Sequence, residues 1–393
     1  MTFASLSAEQ LVIAQIQPTV EATVAGWTLR PDNALDLDWA PILLLANQHR
    51  VEGLLEGALK AAGCADQVPT SVLSVLRRRA DLAESRYQAC VEMLRALYAE
   101  APDLVSGLVF FKGARLLPLY EAAHHRMLGD FDLIVAEDRF EELRRVFEKL
   151  GFWEKPGRNG PTFFGNPRTP RAGCEYVAFD IHLAAPAKYN RSELALDAMW
   201  LTESVPYAIG EVPCRGLSGE LELLELLVHA SEHASSWIHV CLDDDVRLIR
   251  VLDVERLCAS TTVDAGRVAE LGHRFGLAGE LALGLAQVEA LRGALPPELS
   301  VLHEYAAAGA PFVDEVALPD GRFERFDTPL ARRAFRTDRS AMALRMVAPD
   351  KRHRRAWFDW RHGLTEGQED VAAIAARARE RIDAGRDPTR VGS

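Results

Sequence analysis

The seven residues GDFDLIV, 129–135, limit what this chain can fold into more than any other stretch. Asp130 and Asp132 stand one residue apart inside an apolar run that reads as a buried strand. Along a strand, residues i and i+2 point to the same face. The two carboxylates therefore project together, while Phe131, Leu133 and Val135 turn to the core. Two such charges repel each other and resist desolvation unless something neutralises them. A cation does so, and oxygen-only ligation selects Mg2+ or Mn2+.

A third acid meets the same demand. In YVAFDIHL, 176–183, the apolar residues Val177, Phe179, Ile181 and Leu183 alternate with Tyr176, Ala178, Asp180 and His182. If this strand lies beside 130–135, Asp180 completes a three-carboxylate cluster. Such a cluster suits two-metal phosphoryl or nucleotidyl transfer, in which cations bridge the phosphates and activate the attacking oxygen. His182 either lines the cleft or orients Asp180. Upstream, GLVFF reads as a short strand that ends in Lys112 and Gly113 and leads into a helix, ARLLPLYEAAHH, with Pro118 near its start. A glycine there lets backbone N–H groups approach a phosphate, which a helix N-terminus also favours. Lys112 is a phosphate contact or a solvated strand-end lysine, and Arg126 offers positive charge to a triphosphate.

Around this module the pattern is helical. Residues 1–104 read as a helical N-terminal region, 105–217 as a mixed α/β core, and 218–393 as a helical C-terminal region, an α+β chain in all. One helix is expected over 40–63 with Gly63 as its stop, and Arg77, Arg78 and Arg79 form a solvated helix face or a ligand contact. A helix over 137–151 places Phe140, Leu143, Phe147 and Leu150 on one side and ends at Gly151. A hairpin is expected at 152–166 and a further hairpin or strand at 206–217, and Ser218 is the N-cap of GELELLELLVHASEHASSW. The segment 311–340 reads as loops, DDD at 243–245 as a solvated helix start or loop, and the last residues as frayed.

Composition removes several classes of function. A formal net charge of −12 argues against a general nucleic-acid binder, whose surface must be basic. The stretch KRHRRAWFDWRH, 351–362, is a surface helix with its aromatics docked inward, or a contact for RNA or an acidic partner. Six cysteines without a CxxC pair read as reduced core residues, and neither a signal peptide nor a run of roughly 20 apolar residues is present, so the expected compartment is the cytoplasm. HASEH, 229–233, matches the HxxEH pattern of inverted zinc peptidases, with His229 and His233 as ligands, Glu232 as base and Glu304 as a conceivable third ligand. The plainer reading is a helix whose histidines face or pack against the cleft.

VFFKGARLLPLYEAAHHRMLGDFDLIV resembles the glycine motif and paired-aspartate strand of the DNA polymerase β-type nucleotidyltransferase superfamily. It is similar, more specifically, to the bacterial "uncharacterised nucleotidyltransferase" family. The matching positions are Lys112 and Gly113, Arg126, Asp130 and Asp132, Asp180 and His182, and the helix with His229 and His233. The similarity runs over roughly residues 40–260 and includes ANQHRVEGLL and RLIRVLDVERL, the latter with Asp253. Ala114 stands where the superfamily carries a second Gly or Ser, and the gap from Gly113 to Asp130 is long for it. The closer family shares both traits. The resemblance implies a minimal core of a small mixed sheet with flanking helices. It implies metal binding by Asp130, Asp132 and Asp180, and Asp180 as base toward an acceptor hydroxyl. Lys112, Gly113, Arg126, His182, His229 and His233 would line the nucleotide site. The expected partners are an NTP and an acceptor, a small molecule or protein rather than a nucleic acid or membrane. A non-catalytic accessory protein that binds a nucleotide or partner is the alternative.

Overall fold

The protein is described from a computed structural model, which covers residues 39–346 apart from 62, 64, 156–160, 172–173, 184–195, 261 and 319–321. The helices α1 (Trp39–Gln48), α2 (Glu52–Ala61) and α3 (Thr70–Glu100) lead into a seven-stranded mixed sheet. Its strands are β1 (Val109–Phe110), β2 (Phe131–Ile134), β3 (Trp153–Lys155), β4 (Thr162–Gly165), β5 (Val177–His182), β6 (Val205–Ile209) and β7 (Val212–Gly216). Their order across the sheet is β3-β4-β5-β2-β1-β7-β6. The parallel pairs are β2 with β5 and β1 with β7; the others are antiparallel. The hairpin expected at 152–166 forms as β3–β4, and 206–217 is a hairpin rather than a single strand, β6–β7, turning at Gly210 with φ 60°.

The period-two alternation decides which face each strand residue covers. Phe110, Phe131, Leu133, Val135, Phe179 and Ile181 pack against Leu94 and Leu97 of α3 and against α4 (Phe140–Lys149). Phe147 of α4 stacks on Phe163 at 4.5 Å, and Phe131 meets Phe179 edge-on at 5.5 Å. As expected, Leu143 and Phe147 are buried, Phe140 and Leu150 flank them, and Gly151 ends the helix at φ 82°. On the other face Val109, Phe111 and Ile134 pack with the leucines of α5 (Gly219–Ala234). Ser218 caps α5 by accepting a hydrogen bond from the Leu221 N–H. Beyond it lie α6 (Leu248–Ser260) and α7 (Ala278–Arg292). A further core joins α1, α2 and the first turns of α3 to Ala234, Val246, Leu252 and Phe335, so the helices before the sheet pack on those after it.

Several expectations are corrected. The segment after Gly113 is no continuous helix: one turn, Gly113–Leu116, runs into 3-10 turns at Leu117–Leu119 and Ala123–His125. Pro118, without an N–H, sits at the start of the first of these, where a helical ladder cannot pass through it. The helix expected over 40–63 is two helices, parted at Arg50, whose φ is 56°. Residues 311–340 hold a hairpin, β8 (Glu315–Ala317) with β9 (Phe323–Arg325), and a short helix at Leu330–Arg333. Asp243 and Asp245 are buried rather than solvated. Arg77 and Arg78 are exposed as expected, while Arg79 is half-buried near Glu52. Cys90, Cys174, Cys214, Cys241 and Cys258 are buried and unbridged; Cys64 and residues 351–362 lie outside the described residues. Among the described residues, no helix is long and apolar enough to cross a membrane.

Candidate metal centre

The parallel pairing of β2 with β5 sets Asp132 opposite Asp180 and Ile134 opposite His182. Asp132, Asp180 and His182 thus share the sheet face that looks toward α5. One donor atom from each lies within 4.8 Å of the others. His182 Nε2 is 3.3 Å from Asp132 Oδ1 and 3.4 Å from Asp180 Oδ2. The ring therefore touches both acids, where the sequence offers cleft lining or orientation of Asp180 as alternatives. It leans edge-on against Phe111 at 4.9 Å. Burial alone would lower its pKa, but the hydrogen bonds to Asp132 and Asp180 outweigh burial and raise it. Thr162 of β4, paired with Asp180, donates its hydroxyl to Asp180 Oδ1 at 2.8 Å and fixes that carboxylate.

The converging donors differ from the oxygen-only trio of Asp130, Asp132 and Asp180. A histidine nitrogen takes part, and Asp130 lies outside the trio, because it precedes β2 and is not held in the strand ladder. Asp130 is exposed at the end of the strand. The protein crowded behind it and the charges of Asp132 and Asp180 push its carboxyl up to about 6. Burial would also raise Asp132, yet the Lys112 ammonium and the His182 ring hold it well below the usual carboxylate range. Lys112 is not a solvated strand-end lysine. Its Nζ is 2.9 Å from Asp132 Oδ1 and 3.9 Å from Glu225 Oε1, and its side chain is 17% exposed. Its backbone is at φ 52°, and its N–H donates to Glu222 Oε1 at 2.7 Å. Burial pushes Glu222 up to about 8. A cation thus already rests on Asp132, and two carboxylates with an imidazole form a donor set that could hold a divalent metal ion.

The other predicted residues have separate surroundings. A Cβ on Gly113 would lie 2.8 Å from Leu128 Cδ2, the end of a side chain that can shift, and the helix after the glycine is a single turn. Arg126 is committed to Asp253, with Nε to Oδ1 and Nη2 to Oδ2 both 2.8 Å, and Tyr120 donates to the same carboxylate at 2.7 Å. The His233 ring lies tilted between those of His229 and His239, at 4.2 and 3.8 Å, and meets Asp244 and Arg250. Among the described residues, the three-ligand groups that could hold a metal include neither His229 nor His233, and Glu304 is exposed on another helix. The zinc peptidase pattern therefore gains no third ligand. Sequence reasoning missed Glu222, Glu225 and Thr162, and gave Asp253 no role at the site. Only the two glutamates left a signal, as acids set among the leucines of GELELLELL.

A family model described as "Uncharacterised nucleotidyltransferase" matches residues 36–293, about two thirds of the chain, and covers all of these residues except Glu304. The chain belongs to this family. Comparison with the curated proteins finds no match. Among solved structures, an antigenic nucleotidyltransferase-like protein from Paracoccidioides brasiliensis matches with a TM-score of 0.36 and 16% identity, over 55% of this chain and 93% of that one. A likeness so distant carries no weight for the site. Family membership and the mixed sheet agree in class with nucleotidyl transfer.

Proposed function

We propose that the chain moves a nucleoside monophosphate from an NTP to a hydroxyl of a small molecule or protein and releases pyrophosphate, with Mg2+ or Mn2+ as cofactor. The observation that carries this is the register of β2 against β5, which sets Asp132 opposite Asp180 with His182 touching both. Asp130, Asp132 and Asp180, with His182 beside them, would hold the metal. When bound it supplies neutralisation of phosphate charge and acidity for a bound oxygen. Asp180, oriented by Thr162, takes the proton of the acceptor hydroxyl as its oxygen bonds to the α-phosphorus and the bond to the β-phosphate oxygen breaks. Lys112 stands where it can serve either Asp132 or a phosphate oxygen. Arg126, engaged by Asp253, acts through the turn at Gly113, against which it lies. Net acidity favours an acceptor other than nucleic acid.

One observation favours a second reading, a nucleotide- or partner-binding accessory protein without turnover. The Lys112 ammonium already balances Asp132. Calorimetric titration of each NTP with Mg2+ tests the first reading, on wild type and on the Asp130→Ala/Asp132→Ala variant. Metal-dependent binding that the double variant loses is the expected result. Absence of metal-dependent binding for every NTP would sink it in favour of the second.

A further inference from the structure

Next to Asp130 lies a cavity of about 200 Å³ whose wall includes Gly129. A single ordered water needs only about 10–15 Å³ by the same measure, so the cavity can take a larger guest. Arg50, Arg86 and Arg247 line it. Arg247 is committed to Asp244 at 2.8 Å, and Arg86 reaches the Leu128 carbonyl at 3.3 Å. Arg50 differs from both. Among the described residues no carboxylate lies within ion-pair distance of its guanidinium, although Asp130 and Asp244 act on it from further away. Its Nη1 would be 3.6 Å from a Cβ on Gly129, the residue before Asp130. The cavity wall also holds two acids: Glu52 accepts from Asn47 with Oε1 at 2.7 Å, and Asp243 lies 3.4 Å from the Ser340 hydroxyl.

The backbone at Arg50 makes the choice of residue informative. Val51 N–H bonds the Ala46 carbonyl at 2.9 Å and Arg50 N–H bonds the Asn47 carbonyl at 3.0 Å. This 6→1 and 5→2 pair closes α1 with Arg50 in the left-handed position, where glycine or asparagine is the usual residue. An arginine with φ 56° is strained there, and such strain persists where the side chain has a task.

We infer that Arg50, with Arg86 beside it, forms a phosphate-binding subsite that adjoins Asp130 across Gly129. A guanidinium fork matches phosphate oxygens better than a lysine does, and a cavity wall shields the contact from water. The phosphates belong to the NTP or to a phosphorylated acceptor. That last attribution rests on the nucleotidyl-transfer reading; the anion site does not.

The test is calorimetric titration of tripolyphosphate in EDTA with wild type, Arg50→Gly and Arg50→Lys, beside the Tm of each. Glycine suits the backbone at this position, so Arg50→Gly keeps or raises Tm while its affinity falls at least tenfold. Arg50→Lys falls less. If the glycine variant is less stable, the lysine variant decides, since a fork-dependent site loses several-fold and a purely structural arginine loses nothing. Equal affinity in all three chains overturns the inference, as does a wild type that takes up no tripolyphosphate. Titration with Mg2+ and NTP then separates the sources. A parallel loss in Arg50→Gly assigns the phosphates to the nucleotide, and unchanged NTP binding assigns them to the acceptor. Failure of the nucleotidyl-transfer reading shows elsewhere, as NTP binding indifferent to Asp130→Ala/Asp132→Ala.

Discussion

Asp132 and Asp180 lie within ion-pair distance of one lysine and one histidine, whereas Asp244 and Asp245 meet four arginines. Asp244 lies 2.8 Å from Arg247 and 2.9 Å from Arg250. Asp245 lies 3.3 Å from Arg333 and 3.0 Å from Arg339, with all three side chains fully buried. The second cluster is balanced by charges of its own chain and ties α6 to the Arg339–Met346 helix. The first is left short of positive charge at an opening, which is what a site for a cation requires. Equal acidity in the sequence thus conceals opposite tasks, and the count of guanidiniums around each cluster separates them.

Removal of one acid from each cluster should give opposite outcomes. Asp245→Ala leaves Arg333 and Arg339 buried without their carboxylate, and we expect a loss of about 3–5 kcal/mol in urea unfolding. Retention of wild-type stability would break the contrast. Asp130→Asn should do the reverse. Nucleotidyl transfer falls by about 10²–10³-fold, as when one preorganised charge is removed from an active site. Tm at pH 7 rises, since a carboxyl whose pKa is raised to about 6 is unfavourably charged there. A fall in Tm together with full activity would place the residue with the structural acids.

The two clusters should also differ in the sign of their pH response. His233, beside Asp244, is pushed by burial to about 4, below the 6.5 of an unfolded histidine. The unfolded chain then binds the extra proton first, so this contribution is present above pH 6.5 and lost as pH falls toward 4. The gap corresponds to roughly 3 kcal/mol. Asp130 acts oppositely, as its contribution is present below the ordinary value of 3.8 and lost as pH rises through about 6. Unfolding midpoints from pH 4 to 7 should lose the first slope in His233→Gln and the second in Asp130→Asn. The smallest effect expected is Thr162→Val, which removes a single hydroxyl donor to Asp180, worth about 1 kcal/mol. Turnover drops about tenfold or less while the KM for NTP is unchanged; a shift in KM alone would remove Asp180 from the acceptor side.

Residues whose meaning lies in local period are legible in the sequence itself. The alternation in 130–135 and 176–183, the apolar side of α4, the Gly151 stop and the Ser218 cap depend on neighbours within a few positions. So does the common face of Asp180 and His182 within their own strand. A period states which residues look the same way along one element. It is silent on which elements meet. That β5 lies parallel to β2 in register, that Glu222 and Glu225 of α5 reach Lys112, and that Asp253 holds Arg126 across 127 positions are outcomes of packing. The triplet 243–245 reads as solvated until Arg333 and Arg339, some 90 positions away, are brought onto it. Arg50 looks like one helical residue among many, and only its place in the turn against Gly129 distinguishes it. Chemistry at this site needs several charges within a few ångströms. Sequence determines which charges exist and which way each strand turns them, while tertiary structure alone decides how many opposing charges arrive to cancel them.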